Sequence, residues 1–456
     1  MRTAYSLALT WITVLPGAWA QQYMFVPTPV PEAPAAPSWA MPLQTLDQKL
    51  PKWIQFNGMY RNRLEMSGHI GFAKGSDTYD LSQLRLQMAI QPFHWLRLVG
   101  ETQDARVFFN SRIPSRPPYQ NTWDVRQAFV ELGADKEGWF DVIAGRQMLS
   151  FGEERLIGPS DWLDQGRTFD VARLDLHHPG FRTAVFASSV VLARDGVIDH
   201  HLEGNNLYGI YNSFDKLIPH AVLEPYVLWR VAPGNVKLAE NQGHGKLNET
   251  TTGVRLAGTL PRNFDYNVEM ALQRGSLGVY SIESWAGHWK FGKRFGVAAS
   301  PHVFIESNYA TGNQNPASHD WNTFDQIYPS AHDKLDFADQ VGWKNIVQVR
   351  TGVDEKVTKQ WTLTQTYESF WRASLYDGLY GTSGALSVAS TNPANGRFIG
   401  QELDAIANYK WRKAVELGFG YAHLFTGAFL NRTTAGRDYN YPFIYLTFNM
   451  TNVEVH

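Results

Sequence analysis

From Trp53 onward one rhythm repeats: a run of 10 to 16 residues alternating polar and apolar, a turn of a few residues, a second such run, then a longer connection rich in Gly, Asn, Asp and Pro. A period of two places successive side chains on opposite faces of an extended strand. Eighteen such runs fall at 53–67, 79–91, 95–109, 122–134, 139–150, 168–178, 181–192, 204–214, 221–232, 249–260, 263–275, 280–292, 297–310, 341–352, 358–373, 398–411, 414–426 and 441–450. The short turns include Pro92 to His94, Asp135 to Gly138, Pro179-Gly180, Pro261 to Asn263, Lys293 to Gly296, Asp354 to Val357 and Arg412-Lys413. The long connections include 110–121, 152–167, 193–203, 233–248, 312–340, 375–397 and 427–440. Regular alternation of short and long connections predicts an all-β fold: a transmembrane antiparallel barrel of about eighteen strands, with short periplasmic turns and long extracellular loops.

The faces can be assigned residue by residue. In the second run Leu84, Leu86, Met88 and Ile90 share one side, and Gln83, Arg85, Gln87 and Gln91 the other. In the first, Ile54, Phe56, Leu64 and Met66 oppose Gln55, Asn57, Arg61, Arg63 and Glu65. A soluble β-sandwich has the same period. The barrel is favoured by long strands, by the asymmetry of the connections, and by charges on one face with large aromatics on the other. Porins of 16–18 strands enclose an aqueous channel.

Composition and the N-terminus agree. Aromatic residues make up 14% of the 456 residues, yet mean hydropathy is -0.31. A barrel accounts for both, because only alternate residues face lipid and aromatic girdles mark the interfaces. Arg2, the apolar run Ala4 to Leu15 and the Ala18-Trp19-Ala20 site predict a signal peptide over 1–20, cleaved before Gln21. An exported chain without a further apolar helix enters a membrane only as a barrel, since lipid leaves no other way to satisfy its backbone. The expected location is the bacterial outer membrane, with lipid and lipopolysaccharide as surroundings. Residues 21–52 form a Pro-rich periplasmic segment, its stretch 27–42 an extended linker, and 53–456 the barrel. The last run, YPFIYLTFNM, is followed by TNVEVH, so the chain does not finish on the aromatic residue common to such barrels. No cysteine is present, which excludes disulfides and thiolate metal sites. A formal charge of -2 gives no basic excess to suggest nucleic acid. No cofactor motif appears.

By alternation Arg61, Arg63, Arg85, Arg97, Arg146, Arg173, Arg230, Arg255, Lys344, Arg350, Lys410 and Arg412 fall on polar faces, as do Glu65, Glu101, Glu131, Asp175, Glu224, Glu269, Glu306, Glu402 and Asp404. An arginine facing lipid costs about 2–4 kcal/mol at the midplane, so these charges belong in the lumen. Rings of Arg and Lys favour anions, and the planar guanidinium binds carboxylates through two N–H groups. The competing reading is a ladder of Arg–carboxylate pairs that only fills the lumen. Residues 145–174, GRQMLSFGEERLIGPSDWLDQGRTFDVARL, are dense in charge and glycine and predict a constriction loop or a salt-bridged surface loop. Glu153 and Glu154 are adjacent and diverge, which argues against a glycosidase pair, so the chain is expected not to be an enzyme. Loop 312–340 carries Asp320, Asp325, Asp333, Asp336, Asp339, His319 and His332 without a recognised ligand spacing. An extracellular lid and a cation site both remain open for it.

Several stretches resemble the alginate export family of outer-membrane porins: 145–174 most closely, then QDARVF at 103–108, VRQAFVEL at 125–132, NTFDQIYPSAHDKLDFADQVGWKNI at 322–346 and GQELDAIANYKW at 400–411. The resemblance implies a monomeric eighteen-stranded barrel with an arginine-lined constriction that passes an anionic polyuronate by diffusion, fed by separate periplasmic machinery. It points to Arg146, Arg155, Arg167 and Arg173, with Arg63, Arg85, Arg106 and Arg126 nearby, and to Asp161, Asp164 and Asp170 as tethers of the loop. The solute expected is an acidic poly- or oligosaccharide. The alternative is an uptake porin for small carboxylates or sugars.

Overall fold

The computed structural model describes residues 37–133, 138–236 and 245–451. The predicted signal peptide, the first half of the Pro-rich segment, most of the 135–138 turn, the middle of loop 233–248 and the tail after Thr451 lie outside them.

Eighteen antiparallel strands form the wall: β1 Ile54–Ser67, β2 Asp77–Phe93, β3 Leu96–Phe108, β4 Asn121–Leu132, β5 Phe140–Gln147, β6 Phe169–His178, β7 Phe181–Leu192, β8 His200–Ile218, β9 Ala221–Val236, β10 Gly245–Leu260, β11 Phe264–Leu277, β12 Tyr280–Arg294, β13 His302–Ala310, β14 Ile346–Lys356, β15 Trp361–Arg372, β16 Phe398–Trp411, β17 Val415–Thr426 and β18 Tyr439–Asn449. Each pairs with its neighbour in sequence, and β18 pairs back onto β1 from Met59↔Asn449 to Glu65↔Phe443, so the sheet closes without an edge. Short turns gather at one end and long loops at the other. The 278–279 turn between β11 and β12 is a short connection at the loop end.

Two strand starts depart from the expected positions by more than four residues, one after a short turn and one after a long loop. β13 starts at His302 rather than 297, because Ala299 and Ser300 take left-handed φ of 61° and 42°. β14 starts at Ile346 rather than 341, because Val341 and Trp343 are buried with the loop before it and Asn345 has φ 49°. The N-terminal segment also differs. Within 27–42, Ser38–Ala40 is a 3₁₀ turn, and Pro42 opens the helix α1 Pro42–Asp47. Proline suits that first helical position because its missing N–H would have no partner there. The helix covers the short-turn end, where the Leu43 N–H donates to the Met450 carbonyl (3.1 Å) and the Phe56 N–H to Asp47 Oδ1 (2.7 Å).

The outward face is apolar and exposed along every strand, as at Leu64, Leu86, Met88, Val185, Ile210, Val227, Leu272, Ile305, Leu403 and Ile444. Aromatics ring the short-turn end (Trp53, Phe93, Trp95, Trp139, Phe264, Phe291, Trp361) and the loop end (Phe108, Trp123, Trp229, Phe425). That is a lipid belt between two interfacial girdles. The inward face is buried although it is polar: Gln83, Arg85, Glu101, Glu224, Arg255, Gln273, Glu306, Gln348, Glu368, Glu402 and Asp404. Loops 148–168, 311–345 and 373–397 fold over them. Their apolar side chains, among them Leu149, Phe151, Ile157, Phe324, Tyr328, Leu335, Trp343 and Leu379, form a core with inward residues of the wall such as Phe186, Tyr211, Leu228, Ile346 and Phe370.

Candidate functional site

Two of these loops meet inside the barrel. Tyr328 donates its N–H to the Leu156 carbonyl, Gly158 to the Tyr328 carbonyl and Ser330 to the Glu154 carbonyl, each at 2.9 Å. A Cβ on Gly158 would lie 2.3 Å from Ser330 Oγ, so only glycine permits this approach. Arg167 Nη1 donates to the Pro329 carbonyl (2.9 Å), and Trp162 stacks on His332 at 4.0 Å between ring centres.

The wall grips this paired body from two sides. On the first side, Arg61 Nη1 donates to the Asp161 carbonyl (2.9 Å) and Arg63 Nη1 to the Trp162 carbonyl (2.6 Å), with the Arg63 guanidinium 3.9 Å over the Trp162 ring. Arg63 also pairs with Glu65, and Arg61 lies 3.8 Å from Asp164. Gln83 and Gln103 donate to the carbonyls of Asp164 and Gln165. Arg85 Nη2 and Arg126 Nη2 converge on one oxygen, Asp161 Oδ1, at 3.0 and 2.6 Å. Behind them Arg85 Nε donates to Gln103 Oε1 (2.8 Å), and Arg126 Nη1 to Glu101 Oε1 (2.7 Å). Arg126 reaches the lumen through a β-bulge: Glu101 faces Gln127 while Thr102 faces Val125, so Arg126 and Gln127 both turn inward.

On the second side, Arg155 Nη2 donates to Glu306 Oε1 (2.9 Å), its Nη1 to the Lys334 carbonyl (3.2 Å), and its Nε lies 3.2 Å from Glu153. Arg350 pairs with Glu368 (2.7 Å) and donates to the Asp333 carbonyl (3.0 Å). Arg230 pairs with Asp325, and Arg255 with Glu224 at 2.5 Å. Nearer the short turns, Arg97 pairs with Glu131 (3.4 Å) and Arg173 with Asp175 (2.8 Å).

Two loop carboxylates are perturbed in opposite directions. Inside the lumen desolvation works to raise both. For Asp161 the adjacent guanidiniums of Arg85, Arg126 and Arg61 overcome it and hold the carboxyl below the usual carboxylate range. For Asp164 desolvation wins over Arg61 and Arg63, and the carboxyl is pushed up to about 6.

Three expected lumen residues lie elsewhere. Arg106, Arg146 and Asp170 point outward at the loop end of the wall. In β3 the inward positions are Val99, Glu101, Gln103 and Ala105; in β5 they are Ile143 and Gln147; in β6 they are Phe169, Val171, Arg173 and Asp175. Arg106 pairs with Asp104 (2.7 Å) and Arg146 with Asp170 (2.9 Å), with His201 against the same carboxylate at 3.2 Å. Close to the rim an ion pair meets water and headgroups, so polarity ceases to report the side of the wall. Asp170 therefore does not tether the loop; Asp161 does, through the wall arginines. Glu153 and Glu154 diverge, the first towards Arg155 and His288, the second onto Ser150. In loop 311–345 the acids have separate partners: Asp325 takes Arg230, Asp336 the N–H groups of Gln340 and Val341, and Asp339 takes His332. Among the described residues no three His, Asp or Glu side chains are grouped to hold a metal ion. Trp162, His332 and Asp325 belong to the site although only their presence in charged, aromatic loops marked them. Gln83 and Gln103 were marked by sharing a face with Arg85 and Glu101.

A family model described as alginate export matches residues 52–444. No curated protein sequence matches the chain. Among solved structures, the chain is similar to a BenF-like porin from Pseudomonas fluorescens Pf-5 (TM-score 0.63, 9% identity, 88% of this chain and 99% of that one). It is also similar to Pseudomonas aeruginosa OpdK crystallised with vanillate (0.59, 10%, 87% and 98%) and to Acinetobacter baumannii OccAB4 (0.59, 10%, 87% and 97%). At such identities the likeness is one of fold.

Proposed function

The chain belongs to the alginate export family and is a porin of the bacterial outer membrane, and we propose that it is a passive channel for anionic solutes, an acidic poly- or oligosaccharide such as alginate foremost. The observation that carries this reading is the convergence of Arg85 and Arg126 on a single carboxylate oxygen, with Arg61 and Arg63 beside them. Four guanidiniums from β1, β2 and β4 thus face one stretch of the loop, and what the Arg85 and Arg126 pair holds there is a carboxylate, while Arg61 and Arg63 hold backbone carbonyls beside it. Uronate residues carry the same group on a sugar, which the planar fork recognises through two N–H bonds. Arg61 and Arg230 retain 12% and 11% of their side-chain surface, whereas Glu65 and Glu306 retain 3% and 1% and Glu101 none, although Arg63, Arg85 and Arg126 are as deeply buried as these acids. The exposed acids, Asp161 and Asp333, ride on loops. We further propose that the barrel works as a monomer, since its lumen is complete within one chain.

A second reading, a channel for small carboxylates, is supported by how tightly loops 148–168 and 311–345 fill the barrel, and by a neighbour whose crystal holds vanillate, itself a carboxylate. Swelling of proteoliposomes in isosmotic sugars tests the first reading. Sodium glucuronate and short oligouronates are expected to enter faster than glucose and uncharged oligosaccharides of equal length, and Arg85→Gln with Arg126→Gln to remove the difference. Equal or slower entry of the uronates contradicts it, and entry of glucuronate without oligouronates selects the second.

A further inference from the structure

We propose that Asp161 is an internal counter-carboxylate: it occupies the carboxylate subsite formed by Arg85 and Arg126, and a carboxylate of the passing solute exchanges with it. The proposal rests on the reading of the channel as one for anions and concerns how its site is regulated.

Four observations lead there. The two guanidiniums are aimed independently of Asp161, by Gln103 behind Arg85 and by Glu101 behind Arg126. The subsite is therefore preformed, and Asp161 is its occupant rather than its organiser. Next, each arginine is 2% exposed while the Asp161 side chain is 31% exposed, so the aspartate stands between the arginines and the water. Third, the loop has another attachment. Arg61, Arg63, Gln83 and Gln103 hold the carbonyls of residues 161, 162, 164 and 165, and none of these bonds needs the Asp161 carboxylate. The side chain can swing away while the loop stays docked. Fourth, Gly166 leaves space over the pair: with φ of 69° it carries no Cβ, and one built there would lie 3.2 Å from Arg85 Nη2 and 3.3 Å from Asp161 Oδ1.

Exchange of one carboxylate for another keeps the charge of the subsite constant and replaces like hydrogen bonds with like. An empty pair of lumen arginines would bind a polyanion at every step and slow it, whereas conduction needs binding weak enough to release. A tethered competitor weakens each encounter without removing the specificity of the fork. It also keeps the arginines covered when no solute is present.

The test uses the full chain in planar bilayers, with Asp161→Asn beside the wild type. The readouts are the reversal potential in a potassium chloride gradient and block of the current by sodium glucuronate, with glucose as control. Asp161→Asn is expected to shift the reversal potential towards chloride and to lower the half-blocking glucuronate concentration about tenfold, the scale of one charge-assisted hydrogen bond. Glucose has no effect, and adding Arg126→Gln removes the gain. Unchanged or weaker block in Asp161→Asn overturns the proposal. Should that variant fail to fold, amide exchange of the wild type decides: glucuronate, not glucose, is expected to speed exchange over residues 160–165, and no change overturns the proposal. A wild-type channel that prefers potassium contradicts the anionic-solute reading while the shift in Asp161→Asn still tests the counter-carboxylate. A chloride-preferring wild type with an unmoved variant overturns only the latter.

Discussion

Replacing Arg155 by methionine removes a side chain that joins loop 148–168, the barrel wall and loop 311–345 at once. Its guanidinium meets Glu306 on β13 at 2.9 Å, Asn308 on the same strand at 3.3 Å, the Lys334 carbonyl at 3.2 Å and Glu153 at 3.2 Å. Breaking a buried ion pair from one side costs about 3–5 kcal/mol, because the remaining charge keeps its desolvation penalty. Glu306, 1% exposed, still has the amide of Asn308 at 2.8 Å, His288 at 3.5 Å and Arg350 at 4.0 Å. The loss therefore belongs at the lower end, about 3 kcal/mol. It falls on docking of the loops, not on the sheet, whose backbone bonds are untouched. A loss of that size raises the undocked population roughly a hundredfold. Native-state amide exchange reads this directly: protection is expected to drop about two orders of magnitude over 150–160 and 328–338 and to stay constant in β13 and β14. Arg155→Met combined with Glu306→Gln removes both charges and is expected to recover most of the loss, since a neutral replacement of a buried pair is close to isoenergetic. Unchanged protection in the single variant, or additive losses in the double one, would refute the assignment of Arg155 as a bridge.

Other perturbations separate the parts of the account. Asp164, its carboxyl pushed up to about 6 by burial, favours the docked loop when protonated, so docking is firmest below about pH 4 and weakens as pH rises through 6. Amide protection over 160–168 should fall between pH 4.5 and 7, and Asp164→Asn should abolish that dependence. Trp162→Ala removes the stack on His332 and the face beneath Arg63; current fluctuations in bilayers should increase while the heat-modified mobility of the barrel stays the same. Leu86→Arg places a charge on the lipid face and should destabilise the refolded barrel by about 2–4 kcal/mol in urea titrations.

The strands were legible because a lipid-facing wall enforces period two over its whole height. β7 and β16 match the sequence reading to the residue, and most other limits agree within a few positions. The rule fails where lipid no longer sorts polarity. Arg106, Arg146 and Asp170 sit at the rim, paired on the outside. The bulge at Arg126 is a second blind spot, since an extra residue inverts the parity of everything beyond it without changing composition. The motif 145–174 marked the inward loop by its density of charge and glycine, but not which partners hold it. Those partners, β1 to β4 and the loop before β14, lie tens to hundreds of positions away in sequence, and periodicity carries no information about contacts of that range. The same holds for Trp162 on His332, a contact made only when two loops meet inside a closed sheet.

Whether the closed β-barrel carries the proposed arginine site for anions is decided by the reversal potential of the wild-type channel in a potassium chloride gradient. Open-channel current is expected to reverse on the side of chloride, with the preference shrinking as salt rises and screens the lumen charge. A potential on the potassium side, or a refolded barrel that conducts nothing, would contradict it.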